Sequence, residues 1–212
     1  MVIAEIPKHL VQEIVVVDNA SDDATAAKAA EAGATVLRED RKGYGNACLK
    51  GIEYLRSLPE MRQPEIVVFL DADHSDFPGQ MEMLVQPILT DGMDLVIGSR
   101  VRGNHEKNSM TSPQKFGNWL ATRLLRVLYS VRYTDLGPFR AIRFKRLLQL
   151  GMKDRSYGWT VEMQLKAAKA KFKTTEVPVD YRKRIGKSKI SGTVKGTAMA
   201  GFKILWTIFK YI

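Results

Sequence analysis

A single cysteine, Cys48, stands among 212 residues, and that scarcity excludes an internal disulfide and any zinc cluster built on thiolates. With three histidines in the whole chain, a zinc site around His74 lacks ligands as well. Met1 to Leu10 has neither the basic start nor the unbroken apolar run of a secretory leader, so a cytoplasmic location is expected. Long apolar runs are missing too. The most apolar segment, Thr193 to Ile212, is interrupted by Lys203 and Lys210, and a lysine at mid-span costs about 3 kcal/mol in a stretch that falls short of the ~20 residues needed to cross a bilayer. This segment is expected to form an amphipathic helix. It has two open placements: peripheral in a headgroup region with Trp206 and Tyr211 at the interface, or packed on the domain. Repeats, low-complexity tracts and recognisable nucleic-acid modules are absent, so a nucleic-acid partner is not expected.

Acidic residues are scarce in one half only. Residues 1 to 98 hold 8 Lys/Arg against 17 Asp/Glu, a net −9, whereas residues 99 to 212 hold 25 against 6, a net +19. A basic half of this kind suits phosphorylated ligands or an anionic surface as well as nucleic acid, and charge alone does not choose. The length and the 45% apolar content are enough for one domain with a core of its own.

The residues that are present alternate between strand and helix patterns. Val- and Ile-rich runs at Glu13 to Asp18, Thr35 to Arg38, Glu65 to Leu70 and Asp94 to Gly98 read as strands. Helical stretches fill the gaps at Asp22 to Ala32, with Ser21 as a cap, at Tyr44 to Leu58 and at Pro78 to Leu89. Such an order predicts an α/β fold with a mostly parallel central sheet and flanking helices. Beyond Gly98 the pattern predicts a helix at Ser112 to Ser130, a strand at Phe139 to Phe144, a helix at Thr160 to Ala170, a strand at Thr174 to Tyr181 and a basic loop at Arg182 to Thr193. Residues 1 to 192 are therefore read as one domain and 193 to 212 as the C-terminal helix.

The run Phe69-Leu70-Asp71-Ala72-Asp73 carries the most chemistry. A buried strand delivers two carboxylates to the carboxyl edge of the sheet, where open α/β folds bind ligands. Side chains at i and i+2 of a strand share a face, so Asp71 and Asp73 are candidates to hold one hard cation, Mg²⁺ or Mn²⁺. Asp76 is a candidate for a supporting role behind them or for a cap before Pro78.

Taken in order, Val15-Val16-Val17-Asp18-Asn19-Ala20-Ser21-Asp22-Asp23, Lys42-Gly43-Tyr44-Gly45-Asn46-Ala47, Asp71-Ala72-Asp73-His74-Ser75-Asp76 and Gly98-Ser99-Arg100 resemble the family 2 glycosyltransferases. Asp135-Leu136-Gly137-Pro138-Phe139-Arg140, Tyr157-Gly158-Trp159-Thr160-Val161-Glu162 and Tyr181-Arg182-Lys183-Arg184-Ile185-Gly186-Lys187-Ser188-Lys189 resemble its polyprenyl-phosphate sugar synthase branch. The resemblance implies the nucleotide-diphosphosugar transferase fold known as GT-A. It also implies an inverting transfer from a UDP- or GDP-sugar to a polyprenyl phosphate or similar anionic acceptor.

On that resemblance Asp18 is expected to bind the donor base, with a helix cap as its alternative. Gly43 and Gly45 would admit the nucleoside and Lys42 would contact it, or the three would form a plain turn. Asp71 and Asp73 hold metal and diphosphate. Arg100 clamps the diphosphate or makes a surface ion pair. Arg140, Arg182, Arg184, Lys187 and Lys189 are directed at phosphate, and the 182 to 189 loop is expected to close over the ligands. Asp135 serves as a general base or orients Arg140. Trp159 and Glu162 line the acceptor cavity, or Trp159 packs in the core. The family's first strand has no counterpart here, which predicts an unpaired edge on Glu13 to Asp18, open to another chain in a homo-oligomer. The rival reading is a catalytically inactive binding protein, membrane-associated or oligomeric. A nucleotidyltransferase is disfavoured because no glycine-rich signature loop lies near the start.

Overall fold

The computed structural model describes residues 1–186 and 194–211. Valine-rich segments form β1 (Val15–Asp18) and β2 (Thr35–Arg38), which pair in parallel and are joined by α2 (Thr25–Glu31). They are preceded by the single-turn helix α1 (Val2–Glu5) and followed by α3 (Tyr44–Ser57). A second sheet of four strands has the order β3 (Ile66–Phe69), β5 (Arg140–Arg143), β4 (Leu95–Ser99), β6 (Thr174–Pro178). Only β5 runs against its neighbours, and β4 and β6 are parallel. The mostly parallel α/β expectation holds, with β5 as the reversed strand.

Among the described residues no ladder joins β1 to β3, so the free edge expected on β1 is present and the sheet lies in two pieces. Alternation along the strands divides the larger sheet's faces. Val67, Phe69, Leu95, Ile97 and Ile142 face one apolar cluster, packed with α5 (Ser112–Tyr129), α6 (Phe144–Leu150), α7 (Trp159–Lys169) and α8 (Val194–Lys210). Ile66, Val68, Val96 and Ala141 face the other, built with α4 (Met81–Thr90) and with Ile6 and Val11 of the N-terminal segment. Leu95, Val96 and Ile97 are fully buried, which explains why β4 reads as a continuous apolar run.

Local signals set several helix ends. Thr111 and Gln114 form a reciprocal capping box at the start of α5. Ser21 does not cap α2: its amide donates to Asp18 instead, and the Thr25 amide is met by Asp23. Helix α6 begins directly where β5 ends, without a break that sequence pattern would register.

Candidate active site

Strand β3 stops at Phe69, so Asp71 and Asp73 sit in the turn that follows it and not on the strand itself. The shared face expected from strand geometry is therefore replaced by a turn in which His74 adopts a left-handed backbone, φ 64°. Asp73 Oδ1 accepts from the Ser75 amide at 3.0 Å and from its hydroxyl. Asp73 Oδ2 pairs with Arg184 at 3.1 Å.

Burial first, then the charge of Asp73, push the Asp71 carboxyl up to about 6, against the pull of Arg184 and Arg100. Asp76 is fully buried and neither of its oxygens meets a donor in hydrogen-bond geometry. Burial and the charge of Asp71 raise it to about 8, only partly offset by Arg100 and the Asp71 amide. It is not a cap for the turn at Pro78. Asp73 is thus met by Ser75 and Arg184, whereas Asp71 and above all Asp76 lie in the same turn with few donors, a cost usually met by a cation. Their oxygen-only chemistry suits a hard divalent ion.

Arg100 follows β4 at the same edge. Its backbone amide donates to Asp135 Oδ2 at 2.8 Å, and its guanidinium grips both Asp135 oxygens at 2.7 Å. Burial works against the Arg100 charge, but the Asp135 carboxylate outweighs it and the guanidinium stays protonated. The Tyr181 ring lies beneath Arg100, 5.0 Å from its carbon centre. Beyond Arg100 opens a cavity of about 470 Å³ lined by Lys115, Trp119, Arg123 and Arg126 of α5, with His105 and Thr134. Among the described residues no carboxylate lines it.

The profile described as Glycosyl transferase family 2 matches residues 2–151. The chain belongs to that family. Among relatives, the uncharacterized glycosyltransferase Rv0539 of Mycobacterium tuberculosis is 37% identical over 188 residues, covering 87% of this chain and 81% of its own length. The undecaprenyl-phosphate mannosyltransferase of Micrococcus luteus is 31% identical over 199 residues, covering 88% of this chain and 79% of the relative. Glucosyl-3-phosphoglycerate synthase of Mycobacterium tuberculosis, solved with Mn²⁺, UDP and glucosyl-3-phosphoglycerate, superposes with a TM-score of 0.73. It is 20% identical, over 99% of this chain and 73% of that one. The fold is the GT-A glycosyltransferase fold, and the protein is an enzyme of glycosyltransferase family 2.

Within that family frame, several residues named from sequence are placed differently from expectation. Asp135 does not orient Arg140. Its side chain is fully buried and both of its oxygens are bonded to Arg100, which keeps it from an incoming hydroxyl. Arg140 cannot reach a phosphate, because its buried guanidinium donates to the carbonyls of Gly137 (3.1 Å), Leu136 (3.2 Å) and Thr160 (3.0 Å). Burial lowers its pKa. Arg182 is also spent: it donates to the His74 carbonyl and to Glu5 of α1, both at 2.7 Å, and it stacks on Phe77. Of the basic loop, Arg184 reaches the acidic turn, led there by main-chain bonds from Arg182 to Ser75 and from Ile185 to Asp73. Lys187 and Lys189 lie outside the described residues.

Gly43 and Gly45 are small for a different reason from the one expected. A Cβ on either would meet the Arg155 or Asp154 carbonyl oxygen at 2.2 or 2.1 Å, so it is the protein's own backbone that approaches. Gly43 also holds φ 146°, a conformation L-residues rarely adopt. Lys42 is exposed beside them. Asp18 ends β1 and is buried. Bonds from Ser21 and the Arg38 guanidinium hold its carboxyl below the usual range.

Trp159 is wholly buried, edge-on to Phe69, and packs the core instead of a substrate cavity. Glu162 is buried as well and accepts from the Lys153 and Asp154 amides, Lys166 and the Tyr211 hydroxyl. It fastens the 153–154 segment and α8, and it does not line the acceptor cavity.

Three contributors escaped the sequence reading. Asn19 accepts from the Gly43 amide at 2.7 Å and donates to the Glu39 and Arg41 carbonyls, fixing the loop beside Asp18. Tyr181 bridges to Asp76 and to His105. The cations of α5 lie in a segment whose sequence pattern predicts only a helix.

Proposed function

We propose that the chain transfers a sugar, with inversion, from a UDP- or GDP-sugar to a polyprenyl phosphate or a closely similar anionic acceptor, with the aid of Mg²⁺ or Mn²⁺. The observation that carries this reading is the acidic turn after β3, where Asp71 and Asp76 are under-compensated and Asp73 pairs with Arg184. Asp71 and Asp73 are the residues that would hold the metal, whose contribution when bound is Lewis-acid stabilisation of the charge on the departing nucleotide. Arg184 adds a cation on the diphosphate side. Asp18, at the carboxyl end of β1, and Lys42 lie where the nucleoside would rest.

The state of Asp135 favours a phosphate acceptor. A hydroxyl nucleophile needs a positioned base, whereas a phosphate monoester brings an anionic oxygen of its own, and the base candidate is fully engaged by Arg100. The cavity beyond Arg100 offers Lys115, Arg123 and Arg126 with an aromatic wall, a lining that suits a phosphate followed by an apolar chain. In the reaction an acceptor phosphate oxygen bonds to the anomeric carbon as the bond from that carbon to the donor diphosphate breaks, and the pair of electrons leaves with the nucleotide diphosphate. Support for the acceptor class comes also from the undecaprenyl-phosphate mannosyltransferase and the dolichyl-phosphate hexose transferase of Haloferax volcanii, the latter 30% identical over 188 residues, 88% of this chain and 77% of its own length.

The test incubates the chain with UDP-glucose, UDP-N-acetylglucosamine or GDP-mannose, Mn²⁺ and undecaprenyl phosphate, and follows the glycolipid by mass spectrometry. Formation of a metal-dependent glycosyl phosphate lipid is expected with one donor. Transfer to 3-phosphoglycerate in place of the lipid would overturn the acceptor assignment, and metal-independent transfer would overturn the role of the acidic turn.

A further inference from the structure

Helices α5 and α8 pack side by side, joined where the Tyr129 hydroxyl donates to the Ile208 carbonyl at 2.8 Å. Each turns an apolar stripe away from the protein. On α8, Ile204 and Ile208 face the core, yet Met199, Phe202, Trp206 and Phe209 recur at helical spacing on the opposite side, with Phe202 70% and Trp206 56% exposed. On α5, Ala121 and Leu125 are buried while Phe116, Trp119 and Val127 are outside, Phe116 62% and Trp119 58% exposed. The Phe116 and Trp119 rings lie against each other, centroids 5.8 Å apart. Water-facing stripes of this size and composition mark an interaction surface.

The charges choose the partner. Neither helix contains an Asp or Glu, whereas α5 carries Lys115, Arg123 and Arg126 and α8 carries Lys195, Lys203 and Lys210. Each stripe also borders a cationic hollow. Trp119 and Arg123 line the cavity beyond Arg100. Trp206 and Lys210 line a second one of about 240 Å³, closed by Lys153, Arg155 and Lys203 with one carboxylate, Asp154, among them. Lys203 is paired with Asp154 at 3.0 Å, and Lys153, Arg155 and Lys210 have no carboxylate partner among the described residues. A second copy laid on this face would set cation against cation. An anionic bilayer sets them against phosphates and takes the aromatic rings at its interface, the arrangement of helices that lie in the headgroup region. No helix among the described residues is long and apolar enough to cross a membrane, so the contact is one of docking.

We propose that the α5–α8 face docks on an anionic bilayer, and that the smaller hollow between α8 and residues 153–156 takes the phosphodiester of a non-substrate lipid. The proposal rests on the lipid-acceptor reading for its purpose: it would present the mouth of the larger cavity to the surface where a polyprenyl phosphate resides. Its physical basis is the face itself.

The experiment pellets the full chain with sucrose-loaded vesicles of phosphatidylcholine, with and without phosphatidylglycerol. Binding is expected only with phosphatidylglycerol, weakened by added salt and accompanied by a blue shift of tryptophan emission. Phe202→Glu on α8 and Phe116→Glu on α5 each lower the partition by about tenfold or more, with unchanged melting temperatures because both rings stand in water. Lys210→Gln weakens binding to phosphatidylglycerol vesicles alone, and failure to do so overturns the lipid hollow. The docking proposal is overturned if the chain stays in the supernatant with every vesicle, if both Glu variants bind as the wild type does, or if those variants instead abolish a concentration-dependent dimer in sedimentation velocity. Transfer to a short, water-soluble polyprenyl phosphate is measured alongside. Variants that keep this transfer while losing vesicles uphold docking, and absence of transfer in the wild type fails the acceptor reading without touching the vesicle result.

Discussion

Two groups of acids in this fold are treated in opposite ways. Asp135 and Glu162 are saturated, the first by the fork and amide of Arg100, the second by two amides, Lys166 and Tyr211. Half-buried Asp71 and buried Asp76 are left short, and their carboxyls are pushed up to about 6 and about 8, Asp71 only partly relieved by Tyr44. Saturated charges hold segments in place and unsaturated ones wait for a ligand, because a fold gains nothing from leaving buried carboxylates uncompensated. On this contrast, Arg100, Asp135, Arg140 and Glu162 hold the framework, and the chemistry we propose falls to the turn after β3.

The sharpest way to break the contrast is to truncate one acid of each kind. Asp71→Ala is expected to reduce metal-dependent transfer by about 10³-fold with the fold intact by circular dichroism, since the stabilisation at stake is several kcal/mol. Full transfer by that variant removes the assigned role. Asp135→Ala leaves Arg100 buried without its partner and is expected to cost about 3–5 kcal/mol of stability in urea denaturation. A near-neutral result would mean that the pair is dispensable to the framework. Gly45→Ala forces a methyl group against the Asp154 carbonyl and is expected to cost about 1–3 kcal/mol, read as a shift in the denaturation midpoint.

An effect that is confined to one pH window sharpens the unsaturated side. Asp76 titrates at about 8 in the fold against an ordinary 3.8. The folded chain therefore keeps a proton that the unfolded chain has released, and stability falls as pH rises across that window. Asp76→Asn is expected to raise the melting temperature of the metal-free protein above pH 8, by on the order of 10 °C, and to leave it unchanged below pH 4. Mn²⁺ should narrow the gap between variant and wild type. Equal melting curves at every pH would show that Asp76 is compensated in solution.

The strands and the acidic turn were legible because they rest on local pattern: Val15 to Asp18 and Ile66 to Phe69 announce themselves by composition, and Asp71 and Asp73 by following an apolar run. Arginine roles were not legible. Arg100 and Arg140 both lie at strand ends, and what separates them is which carbonyls or carboxylates the fold brings near, a matter of partners some 35 residues away for Arg100. Gly43 and Gly45 looked like a ligand loop for the same reason, since the 154–155 backbone that needs their missing side chains is remote in sequence. The burial of Trp159 and Glu162 likewise depends on elements brought together only by the fold, with Glu162 held by Tyr211 of the last helix region. The outward stripes of α5 and α8 needed both helices in place before their shared exposure was apparent.

The interruption of the sheet between β1 and β3 has a kinetic side. Because no main-chain ladder among the described residues spans that seam, the β1–α2–β2 unit is fastened to the rest through α3 and side chains such as those of Asn19 and Asn46. It forms a separate opening unit: the amides of Val15 to Asp18 should exchange with solvent deuterium well before those of Leu95 to Ser99, and a nucleotide bridging Asp18 and the acidic turn would slow them by stitching the two pieces together.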